Sequence, residues 1–521
     1  MIRPIKKMLY KNSLNFLKVH FQLISVIVLF LIICFYRIDQ IPGEWFRDVS
    51  IVNNYVNSII QGHYPFYLST SLGPLYCYLI APIINYFGSN YLIYKYLSII
   101  IGAFGLVSIY YFVCQISSKR IAILSILLTG TSFWYLVWSR LGISGIIYPL
   151  LSSLMMFFLM LYLKRYEVQY LILGLIFSSL GLFTYSGCFL LFPLYIFIVL
   201  YEAVSRIKRK ELLKLMFILF FVSIPIIIMF LILIANDRSG LGPEGYLGTK
   251  IFNTFELTFG EILFRLINNI YRTLTMFHLE GDVVFRWNVS KSPHLDFISG
   301  LFLLLGSMFF LLKHKNKFIY IFFPILILVI PSILPSHPPV EIPSNIRTFT
   351  ILPFVFFLVA YGIDILYSKL NCYLRPIAAK LILFIIIISI IYLNLQKYFI
   401  MYPKGLPNKN VPFGKIIAKN IDILPKNTKV FIGDYGWGDW EQPEIDSIYY
   451  SIKNNSLRNN TSIDIIDSCD DKRVDYKFPI FVIFNPHNTL KINNFKKCIP
   501  NSIIKEVVEK NTKVFTYLYK K

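Results

Sequence analysis

Residues 215–235 read LMFILFFVSIPIIIMFLILIA, twenty-one positions without a charge. A helix needs about 20 mainly apolar residues to cross the hydrocarbon of a bilayer, so this run is read as a membrane span. Working outward from it, similar runs lie near 21–37, 96–118, 121–138, 144–163, 170–185, 188–201, 296–312, 318–334, 348–366 and 381–397. Segment 168–201 is uncharged throughout and long enough for a hairpin turning at Ser186-Gly187. The expectation is a mainly α, polytopic membrane bundle of eleven spans. Composition agrees. Only 15% of the 521 residues are charged and 56% are hydrophobic. Soluble domains carry about 25% charged residues, and disordered chains are far less apolar. A soluble enzyme and a disordered chain are both excluded.

The charges between the runs set the orientation. The N-terminal segment, Lys119-Arg120, Lys164-Arg165, Arg206 to Lys214, Lys313 to Lys317 and Lys369 to Lys380 fall on one side. That side holds 20 Lys/Arg against four Asp/Glu, while the other side holds 12 against 11 up to residue 400. Cytoplasmic loops carry the Lys/Arg excess, which places the N-terminus inside and everything after about 400 outside. The net charge of +23 is therefore a topology signal rather than a nucleic-acid footprint. The first run follows a basic segment but lacks a small-residue cleavage site, so it is read as a retained anchor. Residues 74–88 (PLYCYLIAPIINYFG) carry two prolines and are too short for a comfortable crossing; they suit an interfacial or re-entrant piece.

The organisation expected is a membrane domain over 1–400 and a small α/β domain over 401–521 on the outer face. In the latter, 413–424 (FGKIIAKNIDIL) reads as an amphipathic helix, and KVFIG (429–433), PIFVIF (479–484) and KVFTYLY (513–519) as buried strands. Cys469 and Cys498 both fall there, where a disulfide is permitted; two unpaired thiols fit the sequence equally. No P-loop, strand-borne GxGxxG or HExxH occurs, so nucleotide-driven pumping has no support.

Charged groups near membrane depth are expensive and usually functional, which draws attention to the outer ends of spans. The first outer loop reads IPGEWFRDVS (41–50), and after Asp48 no charged residue appears until Lys95. Asp48 is either a general base at the membrane surface, held ionised by Arg47, or a solvated loop acid. Glu44 is the neighbouring acid. Arg140, in VWSRLGISG, either snorkels to the interface or binds a phosphate through its planar fork. The outer stretch 278–296 contains His278, Asp282, His294 and Asp296 without the spacing of a helical zinc site. A divalent cation stays open with no ligand motif behind it, and no other cofactor is called for. The proline-rich loop 335–347 presents His337, Glu341 and Arg347, which suit an anionic ligand or an interface anchor.

Taken together these pieces resemble the GT-C superfamily of polyprenyl-phosphate-sugar glycosyltransferases, nearest to the protein O-mannosyltransferases and the bacterial lipid A aminoarabinose transferases. The resemblance is carried by the first-loop acid with Gly62-His63-Tyr64-Pro65, by GPLYCYL (73–79), SRLGISGIIYPL (139–150) and GLFTYSGCFLLFP (181–193). EGDVVFRWNVSKSPHLD (280–296) and PSNIRTFTILPFVFFLVAYG (343–362) complete it. It implies inverting transfer of a sugar from a polyprenyl phosphate to a hydroxyl of a lipid, glycan or protein acceptor at the outer face. The implied setting is a bacterial plasma membrane, and the partners are the donor, an unknown acceptor and the lipid bilayer. By resemblance Asp48 matches the first acid of a motif that is commonly Asp-Glu; Val49 replaces the second. Arg140 and Arg347 match basic positions suited to the lipid phosphate. Tyr64, with Trp45, Tyr67 and Tyr76, offers aromatic faces to a sugar, or forms an interfacial belt. The competing readings are a lipid-linked-sugar flippase, which would show repeated halves and mid-membrane polar groups, and a non-catalytic subunit of a glycan-assembly machine.

Overall fold

The computed structural model describes residues 20–64, 73–206, isolated positions between 217 and 231, 258–334, 341–474 and 477–521. The quoted run 215–235, Tyr67 and His337 lie largely or wholly outside the described residues. The apolar runs elsewhere become helices: α1 (His20–Phe35), α2 (Arg47–Ile60), α3 (Leu75–Phe87), α4 (Tyr91–Ile116), α5 (Lys119–Thr131), α6 (Phe133–Leu141), α7 (Ile147–Arg165), α8 (Val168–Leu180) and α9 (Leu191–Arg206). Then follow α10 (Phe259–Thr275), α11 (Phe297–Lys313), α12 (Phe318–Leu328), α13 (Leu352–Tyr373) and α14 (Pro376–Gln396). Among the described residues, five stretches are long and apolar enough to cross a membrane, or six if the bent pair α5–α6 is one span; five shorter apolar helices accompany them. The chain is a mainly helical, multi-pass membrane protein with a small C-terminal sheet.

The chain divides into two compact units: Met1–Tyr36, Gly62–Leu79 and Tyr96–Tyr402 form the first, and Arg37–Gln61, Ile80–Lys95 and Pro403–Lys521 the second. In the first, the span Asn345–Tyr373 is central, with 89% of its most apolar window buried. It packs on α11 where Gly306 and Gly362 let the backbones touch; a Cβ at Gly306 would overlap the Leu358 carbonyl oxygen. Pro376–Gly405 is the opposite case, the most hydropathic of these five described spans, with only 11% of its most apolar stretch buried. Ile377, Leu381, Phe384, Ile385 and Ile388 are exposed along it, an apolar face of the kind a membrane-spanning helix presents. The run read as one span over 121–138 is two helices bent by 59°. The break is Ser132, whose extended backbone (ψ 143°) ends α5 and whose Oγ accepts the Tyr135 N–H to cap α6.

The second unit centres on a five-stranded sheet, β1 (Lys429–Ile432), β2 (Thr461–Ile465), β3 (Ile480–Phe484), β4 (Ile503–Glu509) and β5 (Thr512–Lys520), ordered β2-β1-β3-β5-β4. β1 pairs in parallel with β2 and β3, and β5 runs antiparallel to β3 and β4. Helix α15 (Phe413–Asp422) lays Phe413, Ile417 and Ile421 on one face of the sheet. Helix α16 (Thr489–Cys498) lays Ile492 and Phe495 on the other. Cys469 and Cys498 are joined in a disulfide beside that second core.

Candidate active site

The loop 37–46 belongs to the second unit, and it is fixed before Asp48 is reached. Lys95, fully buried, donates to the carbonyls of Ile38 and Pro42, each at 2.7 Å, and lies 4.3 Å from the Tyr91 ring centroid. Trp45 is buried against Tyr91, Tyr94 and Tyr450. Helix α2 then starts at Arg47, so Asp48 stands in its first turn, where the helix dipole favours a negative charge. Asp48 is half-buried. Two residues on, Ser50 Oγ donates to Glu444 Oε2 at 2.7 Å, and further along the helix Asn57 Nδ2 donates to the Tyr450 hydroxyl at 2.9 Å.

This contact gathers four carboxylates, Glu44, Asp48, Glu444 and Asp446. Burial pushes Glu444 up to about 7, Asp446 and Asp48 push the same way, and the Ser50 hydroxyl and Arg47 resist. Glu44 is pushed up to about 7 by burial against the Gly414 amide and the Ser447 hydroxyl, with Glu444 adding repulsion. Low-dielectric surroundings and like charges both favour the neutral acids. Glu44, expected at the substrate, is buried and accepts hydrogen bonds from Gly414 N–H and from Ser447 Oγ at 2.9 Å; it braces the first loop against the C-terminal segment. Arg47 reaches Glu441 at 3.8 Å, with both side chains largely exposed. Glu444 and Asp446 went unnoticed in the sequence because they lie almost 400 residues from Asp48; the acid-rich GDYGWGDWEQPEID (433–446) was the available signal.

The remaining sequence candidates lie in the first unit. Arg140 has no solvent exposure. Its Nη2 donates to the Tyr36 carbonyl at 2.9 Å, and its guanidinium carbon lies 4.8 Å and 5.2 Å from the ring centroids of Tyr398 and Phe399. Nε and Nη1 have no hydrogen-bond partner, and no carboxylate pairs with Arg140 among the described residues. Arg347 is buried and meets Glu341 at 3.2 Å.

Asp282 organises the loop before α11. Its carboxylate accepts from Val284 N–H (2.9 Å), Asn345 N–H (2.7 Å) and Trp287 Nε1–H (3.1 Å), while burial pushes its pKa up to about 6. Asn345 Oδ1 in turn accepts from Trp134 and Trp138 Nε1, at 2.7 and 2.8 Å. His294 is buried and stacks on Trp134 with ring centroids 5.2 Å apart; burial, then Lys397, holds it down to about 3, so it is neutral. Asn288 is buried, its Nδ2 donating to the carbonyls of Asp282 and Ser292. Tyr64 is exposed, whereas Tyr76 is buried with its hydroxyl 3.1 Å from Ser98 Oγ. Among the described residues no three His, Cys, Asp or Glu are placed to hold a metal ion.

Residues 71–229 match the family model described as dolichyl-phosphate-mannose-protein mannosyltransferase, in line with the GT-C resemblance carried by the sequence motifs. The fold is similar to that of ArnT from Cupriavidus metallidurans bound to undecaprenyl phosphate. Identity there is 10%, the match covers 96% of this chain and 98% of that one, and the TM-score is 0.49. It is also similar to the archaeal oligosaccharyltransferase AglB from Archaeoglobus fulgidus in complex with an inhibitory peptide and a dolichol-phosphate. Here identity is 12%, coverage is 84% of this chain and 64% of that one, and the TM-score is 0.49. No curated protein matches the sequence.

Proposed function

We propose that the protein is an inverting glycosyltransferase moving a sugar from a polyprenyl phosphate to an acceptor hydroxyl on the outer face of a bacterial plasma membrane. The observation that carries this is Arg140. A guanidinium removed from water costs several kcal/mol unless an anion compensates it. Aromatic faces and one carbonyl supply only part of that compensation, and two of its nitrogens still have hydrogens to donate. A lipid-linked phosphate meets the need, and its charge grows as the sugar departs. The family match over 71–229 spans Arg140.

In this reading Asp48 takes the proton of the acceptor hydroxyl. The oxygen then forms its bond to the anomeric carbon, while the bond from that carbon to the phosphate oxygen breaks and its electron pair leaves with the polyprenyl phosphate. A phosphate is already a good leaving group, so no strong general acid is needed. Arg140, helped by Arg347 with its Glu341 partner, balances the departing charge. The membrane-embedded transferase domain is assigned to 1–400 with eleven spans and a cytoplasmic N-terminus, and the extracytoplasmic domain to 401–521. The Cys469–Cys498 disulfide supports an oxidising compartment for the latter.

The test is turnover of radiolabelled polyprenyl-phosphate sugars by the purified protein in detergent, with a membrane extract as acceptor source. Asp48→Asn should lower turnover by about 10² to 10⁴ with the melting temperature kept. Equal turnover in the variant would remove Asp48 from the chemistry, and a wild type that consumes no donor would remove the transferase.

A further inference from the structure

Past Gln396, helix α14 runs on into a π-helical turn, Lys397–Met401, whose hydrogen bonds close over five residues instead of four. A short α-turn, Tyr402–Gly405, follows. The local cause is Pro403, which has no N–H to donate to the Phe399 carbonyl and whose ring crowds that oxygen, so the chain widens ahead of it. Single π-turns inside α-helices are rare, take in one residue more than the flanking helix needs, and recur at functional sites. Packing gives this one no reason to persist, because Ile400 is 53% exposed and Met401 46% exposed.

The turn grips α6 at both of its ends, about 10 Å apart along the helix axis. At the start of α6, Asn394 Oδ1 accepts the Phe133 N–H at 2.8 Å. Lys397 Nζ lies 4.4 Å from the Phe133 ring centroid and donates to the Pro293 carbonyl at 2.6 Å. Tyr402 secures the far side of the turn, its hydroxyl donating to the Arg286 carbonyl and its ring 5.7 Å from that of Phe133. At the other end of α6, Tyr398 and Phe399 close on Arg140. Their ring centroids are 5.0 Å apart and the rings stand at 80°, two walls of a corner, with the guanidinium carbon 4.8 Å and 5.2 Å from them. Successive side chains of an α-helix diverge by about 100°, and the wider turn narrows that angle. The Tyr36 carbonyl takes one Nη2 hydrogen, and the Tyr36 ring meets Phe399 edge-on at 5.3 Å. Two walls and one carbonyl fix the plane and the rotation of the guanidinium. Nε and Nη1, buried and without hydrogen-bond partners, therefore point in set directions.

We propose that the turn Lys397–Met401 is the positioning device of the donor site, with Tyr398 and Phe399 as positioning residues that aim Arg140 at the phosphate of a polyprenyl-phosphate sugar. The inference rests on the glycosyltransferase reading and adds to it the residues through which Arg140 acts. A mobile arginine has rotamer freedom that is lost each time it meets an anion. Held in the corner, Arg140 is ordered before the donor arrives, and a preorganised N–H is worth most where charge grows, on the phosphate oxygen that the anomeric carbon leaves. Aromatic walls suit this task better than a carboxylate. They hold the cation through their ring faces and leave its charge for the ligand, whereas an acid at the same place would compete with the phosphate. The extra residue of the turn then has a use, because a shift of about 1 Å in a positioned group can cost about 10²-fold in rate.

The experiment uses the full chain in detergent with two readouts. One is kcat and KM for a radiolabelled polyprenyl-phosphate sugar, with a membrane extract as acceptor source. The other is the melting shift given by polyprenyl phosphate beyond that given by polyprenol, which lacks the phosphate. Wild type is compared with Phe399→Leu, Phe399→Tyr and an Ile400 deletion that also carries Pro403→Ala, removing the extra residue and its cause. Phe399→Leu should lower kcat about tenfold with the donor KM within about threefold, and Phe399→Tyr, which keeps the ring, should restore it. The deletion should lower kcat about 10²-fold and erase the phosphate-dependent shift while its ligand-free melting temperature stays in place. Should the deletion not fold, the Phe399 pair decides alone. Wild-type kcat in Phe399→Leu, no rescue by Phe399→Tyr, or equal shifts from polyprenyl phosphate and polyprenol in wild type would each overturn the device. Its failure is distinguishable from failure of the transferase reading. Turnover lost in Asp48→Asn but kept in Phe399→Leu leaves the transferase standing without the device. A phosphate-dependent shift that is present in wild type and lost in Phe399→Leu, with no donor consumed, leaves an aimed Arg140 without the transferase.

Discussion

The second unit should lose stability as pH rises from about 4.5 to about 7, and Glu44 is the main reason. Burial holds its carboxyl at about 7 against an ordinary value of 4.5, even though the Gly414 amide and the Ser447 hydroxyl favour the charged form. A pKa moved that far is worth about 3 kcal/mol. Because the folded state holds the proton more tightly than the unfolded chain, the contribution is complete below about 4.5. It is lost as pH climbs through about 7. Glu444 responds in the same direction, but the two acids repel each other, so their contributions do not add. For a unit of this size each kcal/mol moves the melting temperature by about 2–4 °C, which gives a fall of about 6–12 °C.

The assay is thermal unfolding of the full-length protein in detergent, followed by tryptophan fluorescence at fixed scan rate and ionic strength between pH 4.5 and 8. Trp45 and Trp437 both pack within this unit and report on it. Glu44→Gln keeps an oxygen for Gly414 and Ser447 but cannot ionise. It should match wild type at pH 4.5 and melt several degrees higher at pH 7.5. A wild-type melting temperature that rises between pH 5 and 7, or a glutamine variant that melts below wild type at pH 7.5, would refute the assignment of a buried, proton-holding Glu44.

Arg140→Leu should cut donor turnover by about 10² to 10³, the loss expected for one charged contact to a transition state, while the melting temperature holds or rises because an uncompensated buried charge has gone; turnover within threefold of wild type would count against a phosphate at this position. Gly306→Ala should destabilise the first unit by about 1–3 kcal/mol, since the new methyl meets the Leu358 carbonyl and two backbones must part, and an unchanged unfolding temperature would show that α11 and α13 do not touch there. Reduction of the Cys469–Cys498 bridge, whose sequence separation is 29, should lower stability by about 3–4 kcal/mol through the freed unfolded chain, read as a melting shift on adding dithiothreitol that is absent in a Cys469→Ser/Cys498→Ser variant.

What the sequence reveals and what it hides follow from where each signal originates. A membrane helix is specified by its own twenty residues, so the apolar runs could be placed to within a few positions. The break at Ser132 was not visible, because a serine inside an apolar run also fits a continuous helix; only its extended backbone and its cap on Tyr135 separate the cases. β1, β3 and β5 were legible as apolar runs because they occupy the sheet interior. β2 (TSIDI) and β4 (IIKEVVE) were not, because edge strands carry polar residues on exposed positions and lose their apolar pattern.

The candidate site shows the same division, with a chemical consequence. Asp48 could be singled out alone, since an isolated acid at the head of an apolar stretch is a local signal. Glu444 and Asp446 belong with it only because the chain returns to α2 after the last span, and nothing local in residues 41–50 records that return. The return changes the chemistry open to Asp48. A lone surface carboxylate is simply ionised at neutral pH. A carboxylate set near Glu444, which is held at about 7 and in turn repels Glu44, shares its surroundings with acids that exchange protons in the range where a membrane enzyme works. A proton taken from an acceptor hydroxyl then has neighbouring carboxylates to receive it, and the rate of transfer should depend on pH near 7 although no histidine takes part. Turnover measured from pH 5.5 to 8.5 in wild type and Glu444→Gln tests this. The variant should lose or displace the inflection near 7 while remaining folded across that range, and an identical pH profile in both would confine Glu444 to holding Ser50.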